Sequence, residues 1–189
     1  MSGGLLYLLR HGEPELTGRM LGRTDCAVTA RGIAACLEQI EAIEIKRIVS
    51  SDLKRAQACA DAIGQTRGIG VALDPRWREI DFGEWDGLRS AQIDPGALGQ
   101  FWNDPDASPP PGGERWSAMT ARVSAAIEHL GEQTTLVVTH GGAMRAALHV
   151  LCGFGQRQLW AFDLPYAALL ALRVWPGAPR SAQIVGLWP

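Results

Sequence analysis

Five residues without a charge, Leu5-Leu6-Tyr7-Leu8-Leu9, run into Arg10-His11-Gly12. An apolar run this short reads as a buried strand, and the glycine marks the turn that ends it. From the N-cap residue Thr29, apolar Ile33, Leu37, Ile40 and Ile43 recur at helical spacing and predict an amphipathic helix over 30–44. Residues 46–50 predict a second strand. Ser50-Ser51-Asp52 then offer caps for a helix from Leu53 to about Gln65, with Arg55 in its first turn. Val71–Leu73 predicts a short strand, 97–105 a short helix, and Glu114–Leu130 a longer helix with Trp116, Met119, Val123 and Ile127 on one face. Thr134–Thr139 is β-branched and apolar, the clearest strand pattern in the chain. It runs into His140-Gly141-Gly142 and a helix over Ala143–Leu151. Ala167–Trp175 and Ile184–Leu187 predict the last strands.

Three segments interrupt this pattern. Glu13–Asp25 holds Pro14, Gly18 and Gly22 with Arg19 and Arg23, and reads as a loop long enough to reach over the first strand's end. Trp77–Gly87 packs four acids and two tryptophans into eleven residues. Asp104–Glu114 is proline-rich and could be a linker, but only about 75 residues follow it, and it reads as a loop inside one domain spanning 1–189.

Composition narrows the classes. A net charge of −2 argues against a nucleic-acid surface. No apolar run approaches membrane-spanning length, and no secretory signal pattern opens the chain. Cys26, Cys36, Cys59 and Cys152 form no C-x-x-C pair and read as reduced thiols of a cytoplasmic protein. The only lysines are Lys46 and Lys54, so nearly all fixed positive charge is arginine, which suits bidentate capture of phosphate or carboxylate. Exposed tryptophans or the Leu169–Val174 strand are candidate edges for a homodimer.

The grammar of apolar strand, histidine and glycine occurs twice, at His11 and His140. In open α/β sheets ligands bind where strands end, and a histidine there can serve as a nucleophile. His129 and His149 lack that context and read as structural or solvated. A carboxylic acid beside aromatic rings is desolvated and keeps a proton to give; spacing alone leaves Glu79, Asp81 and Glu84 as candidates.

Four motifs recur in one order: Arg10-His11-Gly12; Ser51-Asp52-Leu53-Lys54-Arg55-Ala56; Glu79 with Phe82-Gly83-Glu84-Trp85-Asp86-Gly87; and Thr139-His140-Gly141-Gly142. This set resembles the histidine phosphatase superfamily, the phosphoglycerate-mutase-like group, from Leu5 to about Leu172. The resemblance implies a three-layer α/β/α sandwich on a mostly parallel sheet, with no metal or organic cofactor. It implies that His11 becomes phosphohistidine, that Arg10, Arg55 and His140 surround the phosphoryl group, and that Glu79 is the proton donor. Gly12, Gly22, Arg23 and Gly141 are the implied substrate-binding positions.

The Phe82-Gly83-x-Trp85-x-Gly87 form and the short chain favour a phosphatase over a mutase. Gly18-Arg19, Gly22-Arg23-x-Asp25, Phe101-Trp102-x-Asp104-Pro105, Pro110-Pro111-Gly112-Gly113-Glu114 and Leu164-Pro165-Tyr166-Ala167 resemble the α-ribazole phosphatase group of cobalamin synthesis. On that reading Trp77, Trp85, Trp102 and Trp116 are candidates to stack a flat base. Pro14 and Thr17 depart from the group's pattern in the loop after the nucleophile. The expected activity is a phosphomonoesterase on a small phosphorylated metabolite. The alternatives are a mutase-type phosphotransferase, a sugar-phosphate phosphatase, or an idle phosphate-binding module.

Overall fold

The computed structural model describes residues 3–189. Six strands, β1 (Gly4–Arg10), β2 (Arg47–Ser50), β3 (Val71–Leu73), β4 (Thr135–Thr139), β5 (Leu169–Trp175) and β6 (Ser181–Trp188), join one sheet in the order β3-β2-β4-β1-β5-β6. The first four are parallel; β5 runs antiparallel to β1, and β6 antiparallel to β5. The helices are α1 (Ala30–Gln39), α2 (Lys54–Arg67), α3 (Pro95–Asn103), α4 (Trp116–Glu128), α5 (Gly141–Cys152) and α6 (Gln156–Leu159).

Strand alternation sends successive side chains to opposite faces, and both faces are covered. Leu9, Ile48, Leu136 and Val138 pack with Cys36, Ile40, Cys59 and Ile63 of the α1–α2 layer. Leu8, Val49, Val137 and Leu170 pack with Met119, Val123, Met144 and Leu148 of the α4–α5 layer. The result is the expected three-layer arrangement. β1 and β4 pair in register from Leu6↔Thr135 to Arg10↔Thr139, so His11 and His140 leave the sheet side by side.

Several boundaries differ from the sequence pattern. α1 ends at Gln39, not 44, because the Arg67 guanidinium takes the carbonyls of Ile40 and Glu41 that a longer helix would need. α3 starts at Pro95, earlier than 97, with Asp94 accepting the Ala97 N–H at 2.8 Å. α4 spans less than the predicted 114–130, and α5 begins at Gly141, two residues before Ala143. β6 is longer than Ile184–Leu187, and α6 has no predicted counterpart. β5 is hydrogen-bonded on both sides, by β1 and β6, so Leu169–Val174 is an interior strand rather than an edge. All four cysteines are free; Cys36 and Cys59 are buried. Among the described residues, no helix is long and apolar enough to cross a membrane.

Candidate active site

His11 is buried at the end of β1, held by its own N–H to Thr139 O at 2.8 Å and by its carbonyl, which accepts from Ala167 N at 3.2 Å. Its Nδ1 lies 2.7 Å from the Gly12 carbonyl. A carbonyl only accepts, so Nδ1 carries the hydrogen and Nε2 presents a lone pair. Burial, then the charges of Arg55 and Arg10, hold the His11 pKa well below the ordinary histidine range, against a smaller opposing effect of the Gly12 hydrogen bond. The ring is neutral at physiological pH, as a nucleophile must be. Gly12 is demanded by packing: a Cβ there would lie 2.1 Å from Gly32 O of α1.

His140 caps α5 and is fully buried, its ring centroid 5.0 Å from that of His11. Burial, Arg55, His11, Arg10 and Arg122 depress its pKa. Nε2 meets Ser51 Oγ at 2.9 Å. When that hydroxyl donates, Nδ1 carries the ring hydrogen, and Nδ1 is buried without a partner.

Arg55, in the first turn of α2, is also fully buried. Its Nη1 donates to Thr24 O at 2.8 Å, and its Nη2 to Leu21 O and Gly22 O at 2.8 and 3.0 Å. Its Nε is left without a partner, as is Arg10 Nε. Arg10 Nη1 donates to Leu164 O at 2.6 Å, and its guanidinium lies 4.3 Å over the Tyr166 ring. Gly141 opens α5, so its N–H has no partner within the helix. Buried polar groups are normally paired. Arg10 Nε, Arg55 Nε and, in the tautomer that a donating Ser51 hydroxyl selects, His140 Nδ1 are unpaired donors on the residues next to His11, and with the start of α5 they can receive an anion.

Glu79 is held against the first turn of α5. Its Oε2 accepts the Gly142 N–H at 3.0 Å and its Oε1 accepts the Ile80 N–H at 2.9 Å. Gly142 allows this approach, since a Cβ would lie 2.1 Å from Glu79 Oε1. The other two acids of the segment are elsewhere: Asp81 pairs with Arg23 at 3.1 Å, and Glu84 is exposed.

A cavity of about 200 Å³ opens from His11, lined by Arg10, Glu79, Gly141 and Gly142 and walled by Phe82, Phe101, Trp102, Trp116, Trp160 and Tyr166. The structure therefore brings Arg10, His11, Glu79 and Gly141 onto this cavity. Arg55 and His140 do not line it: His140 lies behind the His11 ring, 5.0 Å between centroids, and the Arg55 charge acts on His11. Gly22 and Arg23 do not line it. Gly22 donates to Asp86 at 2.7 Å and packs so closely on Ile80 O that a Cβ would lie 2.5 Å away; Arg23 holds Asp81. Trp102 and Trp116 line the cavity, whereas Trp77 and Trp85 are buried in the core. Pro14 pairs with Val28 and Thr17 is exposed, and neither touches the cavity.

Sequence reasoning missed Arg122, Arg145, Gln156 and Trp160. Arg122 straps the acid segment: it donates to the carbonyls of Arg76, Arg78 and Glu79 at 2.7, 2.7 and 3.0 Å, and to Glu114 at 2.7 and 2.8 Å. Arg145, Gln156 and Trp160 line the cavity. Arg145 lies one turn after Gly141, at i+4, a spacing that puts both on one helix face.

A family profile described as "Histidine phosphatase superfamily (branch 1)" matches residues 6–185. Among curated relatives, a glucosyl-3-phosphoglycerate phosphatase of Mycobacterium tuberculosis is 31% identical over 160 residues, covering 75% of this chain and 72% of its own. A probable phosphoglycerate mutase of Salmonella choleraesuis is 32% identical over 163 residues, covering 78% and 74%. The native structure of mycobacterial glucosyl-3-phosphoglycerate phosphatase superposes with a TM-score of 0.86 at 28% identity over 97% of both chains. These likenesses agree with the paired histidines, the unpartnered buried nitrogens and the carboxylate on the same cavity: the chain belongs to branch 1 of the histidine phosphatase superfamily, and it is a phosphatase.

Proposed function

We propose that this chain hydrolyses a small phosphate monoester through a phospho-His11 intermediate. The observation that carries the proposal is the set of unpartnered buried nitrogens, Arg10 Nε, Arg55 Nε and His140 Nδ1, gathered around the neutral His11 ring. Phosphoryl transfer spreads negative charge over three equatorial oxygens, so preorganised donors lower its barrier with little further chemistry from the protein. His11 Nε2 attacks phosphorus and the ester P–O bond breaks. Protonated Glu79 gives its hydrogen to the leaving oxygen. The resulting carboxylate then takes a proton from water as that water attacks phosphorus, and the P–N bond breaks to restore His11 and release inorganic phosphate. Gly142 N–H and Ile80 N–H hold the carboxyl in place through both steps.

Two substrate classes suit the cavity. The wall of Trp102, Trp116 and Trp160 suits a flat base, as in α-ribazole 5′-phosphate, the reading the sequence motifs favour. Arg145 favours a second reading, an acid that carries the phosphate ester, and the relatives above are named for phosphoglycerates.

The test is rapid-quench labelling with p-nitrophenyl phosphate. Wild-type protein is expected to gain one acid-labile phosphoryl group at His11, and H11A to gain none and lose turnover by at least about 1,000-fold. Full turnover by H11A would sink the proposal.

A further inference from the structure

We propose that Arg145 is a specificity residue that binds a second anionic group of the substrate, on the alcohol side of the scissile ester. This rests on the phosphatase reading and names the substrate class: a phosphate monoester whose alcohol also carries a carboxylate or a second phosphate.

The placement comes from α5. Arg145 follows Gly141 by one turn, and a Cβ built on Gly141 would lie 3.3 Å from Arg145 Nη1 and 3.5 Å from Arg10 Cζ. The two guanidiniums therefore flank the same backbone position. Arg10 lines the cavity next to His11, and Arg145 lines it beside Trp160, whose ring lies 4.5 Å from its Cζ.

The charge balance asks for a second anion. Arg145 makes no ion pair among the described residues. Its Nη1 and Nη2 reach only the carbonyls of Gly141 and Phe162, each at 3.3 Å, and its Nε is buried without a partner. A half-buried guanidinium served by long contacts to carbonyls and by the face of Trp160, with no carboxylate paired to it, is under-compensated. Its surroundings make that worse. Burial lowers its pKa, and Arg10 adds like-charge repulsion; Glu79 and Asp163 oppose these. The Glu79 carboxylate is held by the N–H groups of Gly142 and Ile80 and forms no ion pair with Arg145. A phosphate dianion offsets Arg10 and Arg55, which leaves Arg145 to a different group. Gln156 Oε1, also buried without a partner, lines the same cavity and accepts a hydroxyl or N–H from the same alcohol.

Steady-state kinetics on matched esters test this. 3-Phosphoglycerate and glycerol 3-phosphate differ in the carboxylate alone. Fructose 1,6-bisphosphate supplies a second phosphate, and α-ribazole 5′-phosphate supplies a flat body with no second anion. The wild-type protein is expected to prefer an acidic ester over glycerol 3-phosphate and over α-ribazole 5′-phosphate by at least about tenfold in kcat/KM. Whether phosphoglycerate or the bisphosphate leads identifies the anion. In R145Q, kcat/KM for the acidic ester is expected to fall at least about tenfold more than for glycerol 3-phosphate, mainly through KM, with partial recovery in R145K. Equal wild-type rates with and without the second anion, or a preference for α-ribazole 5′-phosphate, would overturn the inference without any variant. Loss of all ester hydrolysis and of His11 phosphorylation would instead overturn the phosphatase reading itself.

Discussion

Arg122 Nη2 donates to the carbonyl of Glu79 at 3.0 Å, so the acid is set by an arginine that never touches the cavity. The same guanidinium forks onto Glu114, and both side chains are mostly buried. Charge-assisted forks of this kind fix position as well as adding stability. R122M is expected to lower stability by about 3 kcal/mol, since Glu114 is left half-buried and unpaired. It is expected to reduce kcat far more than it changes KM, as a displaced acid impairs the chemical step while the phosphate donors stay in place. Urea titration and steady-state kinetics check the two effects, and R122K should restore part of the first.

Glu79 carries two proton transfers, and its loss should separate them. With p-nitrophenyl phosphate, whose leaving group needs little protonation, E79Q is expected to phosphorylate His11 at a rate near wild type but to hydrolyse the intermediate slowly. Phosphoenzyme should therefore accumulate. With an alkyl phosphate both steps need the acid, and little intermediate should form. Quenched-flow measurement of bound phosphate distinguishes the cases, and equal accumulation from both esters would argue against Glu79 as the acid.

His11 and His140 are buried and neutral, with pKa values pushed below about 6.5 by burial and by neighbouring arginines. In the unfolded chain both take up protons near that value. The unfolded state thus binds more protons as pH falls, and native stability declines from about pH 6.5 downward. Each histidine contributes up to about 1.4 kcal/mol per pH unit until its native pKa is reached. Urea midpoints should drop between pH 7 and 5.5, and replacing His140 with Gln should reduce that slope. Activity should persist to pH values below 6.5, because His11 stays neutral there.

G12A is expected to destabilise the protein by at least about 1–3 kcal/mol and to abolish turnover. The added methyl would meet the backbone of α1, which cannot swing aside as a flexible side chain can. Thermal unfolding and activity at low temperature measure the two losses independently.

The phosphoryl half of the site was legible because its residues are local to simple patterns. His11 and His140 end apolar runs, and a run's end is visible in one dimension. Parallel pairing of β1 with β4 then brings those ends together. The substrate half was not legible. Arg145 and Trp160 reach the cavity through the facing of α5 and the return of the chain through α6. The helix expected from Ala143 already begins at Gly141, and Gly142 in its first turn passes under Glu79 only because it has no Cβ. Trp77 and Trp85 look like base-stacking residues by their place among acids. Each is taken instead by the core, with Trp85 edge-on to Phe101 at 5.7 Å. Aromatic residues in an irregular segment carry no periodicity, so nothing in the sequence says which way they turn.

The in-register pairing of β1 and β4 also divides the molecule for an engineer. Both histidines hang from the centre of the sheet, while part of the cavity wall comes from segments that cross its open end: the turn at Arg19–Leu21, α3, and the stretch from Gln156 to Tyr166. Exchanging those crossings for others of similar length is expected to leave the spacing of the nucleophile and its neighbour unchanged, since that spacing is set by the β1–β4 register. The sheet is thus a reusable chassis, and new substrate preferences are to be sought by grafting its crossings.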